Sequence, residues 1–296
     1  MLTDNLNNVL RNFTMLETNM VSAERLFQYI DLPAEATPKA NKDNQPPPSW
    51  PALGEVRFEG AVMGYRPGLP DVLRGATFTA KGGEKIGVCG RTGSGKSTLL
   101  TCLFRLVELR SGRIEIDGVD ISTVDLPTLR GRLAIIPQDP VFFTGSLRYN
   151  IDPRGEFSDD AIRDALERCA LKPFLDEHAE GLERPLEAGG SNMSAGQRQL
   201  ACMARALLRR SRVLVLDEAT ANLDQETDEL IQRTTLRAEG LRDATVLTIA
   251  HRLNTIMESD RVLVMDAGRV AEMGPPEELK VTPGSMFAKL CEAAEN

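Results

Sequence analysis

Residues 90–98 read GRTGSGKST and match GxxxxGK[ST] in full, directly after the apolar run IGVC and opening TLLTCLFRL. This spacing suits phosphate chemistry. The glycines let successive backbone N–H groups turn toward one anion, and a following helix adds the positive end of its dipole. Lys96 is placed to reach the β- and γ-phosphates of a nucleotide and the Ser97 hydroxyl to ligate Mg2+. Gly90, Arg91, Thr92, Gly93, Ser94, Gly95 and Thr98 complete the loop. The loop alone leaves an ATPase, a GTPase, a kinase and a simple binding module open. VLVLDE, residues 213–218, narrows the choice. An apolar strand would deliver Asp217 to a sheet edge, where its carboxylate holds Mg2+ through water, and Glu218 would orient or deprotonate an attacking water. The chain shows no NKxD-like motif to read a guanine base, which counts against a GTPase.

A second small, hydroxylated, glycine-bearing segment, SNMSAGQ (191–197), also precedes a strong helical pattern, QRQLACMARALLRR. It could hold an anion at a helix N-terminus. Since the first loop already provides for one nucleotide, the second raises the question of whose phosphate it touches.

These residues need a scaffold. KIGVCG (85–90), LAIIP (133–137), VLVLD (213–217), TVLTIA (245–250) and RVLVMD (261–266) are continuous apolar runs separated by helical stretches. Such runs are predicted to be strands of a parallel sheet covered by helices on both faces, so the fold class is α/β. EVRFEG and VLRGATFTA supply further short β runs from Gly54 onward. Between PQDP (137–140) and the strand at 213 no strand is predicted. SDDAIRDALERCAL (158–171) begins with a Ser cap and an acidic first turn, which makes the region from about 139 to 211 a helical insertion. The run DLPAEATPKANKDNQPPPSWP is predicted to be part of a linker over 31–52. Ahead of it, Leu2, Leu6, Val9, Phe13, Leu16 and Met20 fall on one face of a helix over 1–30. That stripe needs a partner, either its own domain or an element beyond it.

The 296 residues are 42% hydrophobic and 26% charged, ordinary globular material, with a net charge of −8 that argues against nucleic-acid or anionic-membrane partners. The five cysteines form no CxxC pair and read as reduced core thiols. No apolar run approaches a membrane span in length.

From about Gly54 to Phe287 the chain resembles the nucleotide-binding domain of an ABC transporter. SNMSAGQRQ is similar to that family's LSGGQ signature, with Met193 and Ala195 as departures. Gln138 matches the Q-loop, ANLD (221–224) the D-loop, His251 in IAHRL the switch histidine, and Tyr65 the aromatic that stacks on adenine. ETNMVSAERLFQYIDLP, YRPGLPDVLRG and PVFFTGSLRYNIDP resemble the second nucleotide-binding domain of the C subfamily, the multidrug-resistance-protein-like transporters.

The resemblance implies a P-loop NTPase core with a mostly parallel sheet, an antiparallel β subdomain and a helical subdomain, forming one nucleotide-binding domain over 53–296. It implies ATP and Mg2+ as ligands, with Ser97, Gln138 and Asp217 at the metal and Glu218, His251 and Gln138 in hydrolysis. It answers the question of the second loop as well: two such domains pack head to tail, so Ser194, Gly196 and Gln197 would contact the ATP held by the partner domain. Residues 1–30 would be the end of a transmembrane domain. On this reading the chain works at the cytosolic face of a membrane within a transporter, and by itself is soluble and mostly monomeric. A regulatory ATP-binding module with little turnover and a soluble ABC-type ATPase are the alternatives. Intact Glu218 and His251 favour turnover at this chain's own phosphate loop, whereas Ala195 weakens the site completed by its signature.

Overall fold

The computed structural model describes residues 1–32, 35, 45–66, 68–217, 231, 241–250 and 253–295. The chain divides into two compact units, Met1–Thr37 and Pro38–Asn296. The first is built on one long helix, α1 (Leu2–Ile30), in which no residue is buried. Among the described residues no helix is long and apolar enough to cross a membrane.

The second unit holds two main sheets. Strands β1 (Val56–Met63), β2 (Leu73–Ala80), β4 (Ser111–Ile116) and β5 (Val119–Asp120) form an antiparallel sheet in the order β2-β1-β4-β5. The other sheet comprises β3 (Lys85–Gly90), β6 (Leu133–Ile136), β9 (Val213–Asp217), β10 (Thr245–Ile249), β11 (Arg261–Asp266) and β12 (Arg269–Gly274). Its order is β12-β11-β3-β10-β9-β6, parallel throughout except for the edge strand β12. The apolar runs are continuous because both faces are covered. Leu214, Leu216 and Val246 belong to one core, with the helices that follow β6, while Val213, Val215, Val88 and Leu247 belong to a second, with the antiparallel sheet. The fold is thus the α/β arrangement expected, with a mostly parallel sheet and an antiparallel one.

The stretch from 139 to 211 is mainly helical: α4 (Leu147–Ile151), α5 (Asp159–Arg168), α6 (Lys172–Asp176) and α7 (Ala195–Arg209). Ser158 caps α5 by accepting the Ala161 N–H, with Asp159 and Asp160 in the first turn. The stretch also contains strands, which the sequence pattern does not suggest. Gly145–Ser146 (β7) pairs with Pro185–Leu186 (β8), two residues each, too short for any periodicity to register.

The segment leading into β1 also differs from a solvated linker. Trp50 is 4% exposed and donates its indole N–H to the Ile116 carbonyl at 2.9 Å. The Asp117 carboxylate accepts the backbone N–H groups of Ala52, Leu53 and Glu55. A Trp50→Phe substitution keeps an aromatic ring but removes the indole hydrogen bond to the Ile116 carbonyl, so it is expected to destabilise the fold by about 0.5–1.5 kcal/mol. Urea unfolding followed by circular dichroism measures this, and an unchanged midpoint would show that the anchor is not needed.

Candidate functional site

The phosphate loop leaves the end of β3 and enters α2 (Lys96–Leu103), the strand–loop–helix setting that its sequence requires. The helix ends at Leu103, three residues short of the sequence pattern, where Arg105 takes a left-handed φ of 47°. Its buried guanidinium donates to the carbonyls of Ile121 and Val124 and to the Glu108 carboxylate. At the other end of the loop, Gly90 has φ +142°, and a Cβ there would overlap the Met265 carbonyl oxygen of the neighbouring strand β11. Only glycine lets the loop leave the sheet this close to its neighbour.

Lys96 is 6% exposed, and its ammonium donates to the loop's own carbonyls, Gly90 O at 2.9 Å and Arg91 O at 3.2 Å. The charge therefore sits inside the curve of the loop. Its field reaches Cys89, whose thiol is pushed up to about 12, first by burial and then by Cys291, with Lys96 opposing. All five cysteines are free and buried, as expected of core thiols. Ser94 is also buried, and its hydroxyl has no hydrogen-bond partner among the described residues. A buried hydroxyl without a partner inside a glycine-rich anion loop fits a phosphate group.

Strand order brings the carboxylate to this loop. β10 lies between β3 and β9, and Ile249 pairs with Val88 on one side and with Asp217 on the other. Asp217 thus stands level with Val88, two residues before the end of β3, at about 10 Å, two strand spacings away. Gln138 follows β6, whose Ile136 pairs with Leu216, so it too emerges at the C-terminal edge of the parallel strands, exposed to solvent. Ser97, in the first turn of α2, is exposed. A serine hydroxyl, one carboxylate and one amide are hard oxygen donors too few for a cage, which suits Mg2+, an ion that keeps waters and shares substrate phosphates. Among the described residues no group of three or more His, Cys, Asp or Glu could hold a metal. Glu218, His251 and the ANLD segment lie outside the described residues.

The hydroxyls of Tyr65 and Thr98 share a hydrogen bond of 3.1 Å, which joins the loop after β1 to α2. Tyr65 is 50% exposed and lines a cleft of about 380 Å³ with Val72, Arg74, Gly93 and Ala267. A half-exposed ring beside the loop is available for a base to stack on.

SNMSAGQ lies at the start of α7. Ser194 is its N-cap in a full capping box: its hydroxyl accepts the Gln197 N–H at 3.1 Å, and the Gln197 carboxamide oxygen accepts the Ser194 N–H at 2.8 Å. Of the two departures from LSGGQ, Met193 is buried in the helical core, where a methionine replaces a leucine with little change of volume. Ala195 is exposed, on the outer surface with Ser194. Helix α7 also holds the segment that carries Gln138. The carboxamide of the buried Gln199 donates to Pro137 O at 3.0 Å and to Gln138 O at 2.9 Å, and the Arg205 guanidinium donates to Asn150 O at 2.8 Å. Gln199 is a positioning residue that motif reading passed over, because its role is visible only once β6 and α7 are seen side by side.

The ABC transporter family profile matches residues 73–221. The chain is 49% identical over 292 residues to ATP-binding cassette sub-family C member 2 of Rattus norvegicus and 50% identical to that of Homo sapiens, covering 99% of this chain and 19% of those proteins. It is 47% identical over 296 residues to sub-family C member 10 of Mus musculus. The chain therefore spans about a fifth of the length of the curated relatives it matches. Among solved structures it is similar to a bacterial Atm1-family ABC exporter with ATP bound, with a TM-score of 0.85 and 32% identity over 95% of this chain and 48% of that one.

Proposed function

Because the chain belongs to the ABC transporter family, we propose that residues 53–296 are the ATP-binding and ATP-hydrolysing domain of an exporter, working head to tail with a second nucleotide-binding domain. The observation that carries this reading is the convergence of the phosphate loop, Asp217 and Gln138 at one edge of one sheet. Substrate sites at the carboxyl ends of parallel strands are the rule for open α/β sheets.

In this reading the backbone N–H groups of residues 90–97 and the Lys96 ammonium bind the phosphates, and the Tyr65 ring takes the adenine. Ser97, Gln138 and Asp217 would hold Mg2+, which neutralises charge on the phosphate oxygens. Glu218 positions the attacking water and accepts its proton, and His251 contacts the γ-phosphate. Ser194, Gly196 and Gln197 reach the ATP of the partner domain, so this chain completes a site that it does not own. Residues 1–30 form the end of a membrane domain, with 31–52 joining it to the nucleotide-binding domain. That places the chain at the cytosolic face of a membrane, with no nucleic acid involved and the isolated chain mostly monomeric. The similarity to sub-family C members over nearly the whole chain, α1 included, favours this over a soluble ABC-type ATPase.

Lys96→Ala removes a charge-assisted contact worth about 1.5–3 kcal/mol, so Mg-ATP affinity is expected to fall about 10- to 150-fold. Titration calorimetry reads this directly. Unchanged affinity in a folded variant would defeat the nucleotide assignment.

A further inference from the structure

Strands β11 and β12 are joined by a two-residue turn, Ala267–Gly268, with Asp266 paired to Arg269. Both turn residues have positive φ, 45° and 82°. This is the geometry of a type I′ turn, which suits glycine at both positions and tolerates alanine poorly. The tip does not project into solvent. The Gly268 N–H donates to the Ser94 carbonyl of the phosphate loop at 3.0 Å, and the Gly268 carbonyl accepts the Arg74 N–H at 2.8 Å. A Cβ on Gly268 would overlap the Val72 carbonyl oxygen and lie 3.0 Å from its carbon. Val72 and Arg74 line the same cleft as Tyr65, and so does Ala267. One residue therefore bonds to the phosphate side of the site through its N–H and to the base side through its carbonyl.

We propose that Gly268 is a positioning residue of the nucleotide site, setting the separation between the phosphate-binding loop and the base-stacking side of the cleft. The inference rests on the nucleotide reading above. A ligand that engages both sides gains affinity only while their spacing matches its own length, as for any pair of linked contacts. Adding a Cβ at Gly268 forces the tip away from Val72 and so alters that spacing, while each side remains able to bind its own fragment.

The test is Gly268→Ala in the whole chain, with Mg-ATP and Mg-tripolyphosphate as probes. Affinity for Mg-ATP is expected to fall about tenfold or more, and affinity for Mg-tripolyphosphate, which uses the phosphate side alone, by less than about threefold. Gly118→Ala is the matched control. Gly118 has φ +75° in the two-residue turn between β4 and β5, with open space where a Cβ would sit, so the substitution strains a similar turn away from the site and should leave both affinities unchanged. Mg-ATP affinity unchanged in Gly268→Ala, or equal losses for both probes, would overturn the proposal. Should Gly268→Ala not fold, amide exchange on the wild-type chain decides: Mg-tripolyphosphate should slow exchange at Arg74, which it does not touch, and an unaltered Arg74 rate would overturn the proposal. Failure of the wild-type chain to bind Mg-ATP would instead remove the nucleotide reading, and this inference with it.

Discussion

Glu218→Gln is expected to lower ATP turnover by about 10²- to 10⁴-fold, the range over which a positioned general base acts. Mg-ATP should still bind. The expectation follows from the placement of Asp217. β9 delivers that carboxylate to the C-terminal edge of the sheet, level with Val88 of β3, and the next residue in the chain is the second acid of VLVLDE. The amide is nearly isosteric with the carboxylate, so it preserves packing while removing the base. Phosphate release and nucleotide affinity, measured together on this chain with a partner domain added, test the idea: a variant that both binds and hydrolyses at the wild-type rate would remove Glu218 from the mechanism. Ala195→Gly makes the contrast. Its extra methyl is exposed on the signature, where a partner's nucleotide would approach, and glycine is the residue suited to close backbone approach. Repairing it should alter overall turnover far less than Glu218→Gln does. Equal effects would mean that the two sites contribute alike.

The second large effect concerns completion of the site by another chain. Ser194 and Gln197 satisfy each other within this chain, and the phosphate loop is served by residues from β3, β9 and β6. The isolated chain is therefore expected to bind ATP but hydrolyse it slowly, at a rate per molecule that climbs with protein concentration. Adding a partner domain with an intact signature should raise the rate on the order of a thousandfold, the scale of transition-state contacts supplied in trans in other phosphoryl-transfer systems. Ser194→Ala in this chain should spare its own site and impair the partner's. It should also loosen α7, since loss of an N-cap costs about 1 kcal/mol, so melting curves must accompany the rate. A fast rate independent of concentration would contradict completion in trans.

Much of this protein follows from short-range patterns. The phosphate loop needs only the glycines and lysine of GRTGSGKST between an apolar strand and a helix, all within some twenty residues. The buried strands announce themselves as continuous apolar runs because helices and a second sheet cover both faces. Ser158 and Ser194 mark helix starts through bonds made three residues away. What depended on tertiary structure is which of these pieces meet. No local signal states that β10 inserts between β3 and β9, setting Asp217 two strands from the phosphate loop. Nor does anything in SWP announce that Trp50 is buried against Ile116, or anything in DAGR that its glycine bonds to Ser94 and Arg74. The contacts of Gly268 are made by backbone atoms, which every residue carries alike, so residue identity leaves them unmarked. At Gly268 the sequence records only a missing side chain; the fold decides that the space it leaves is filled by the wall of the nucleotide cleft.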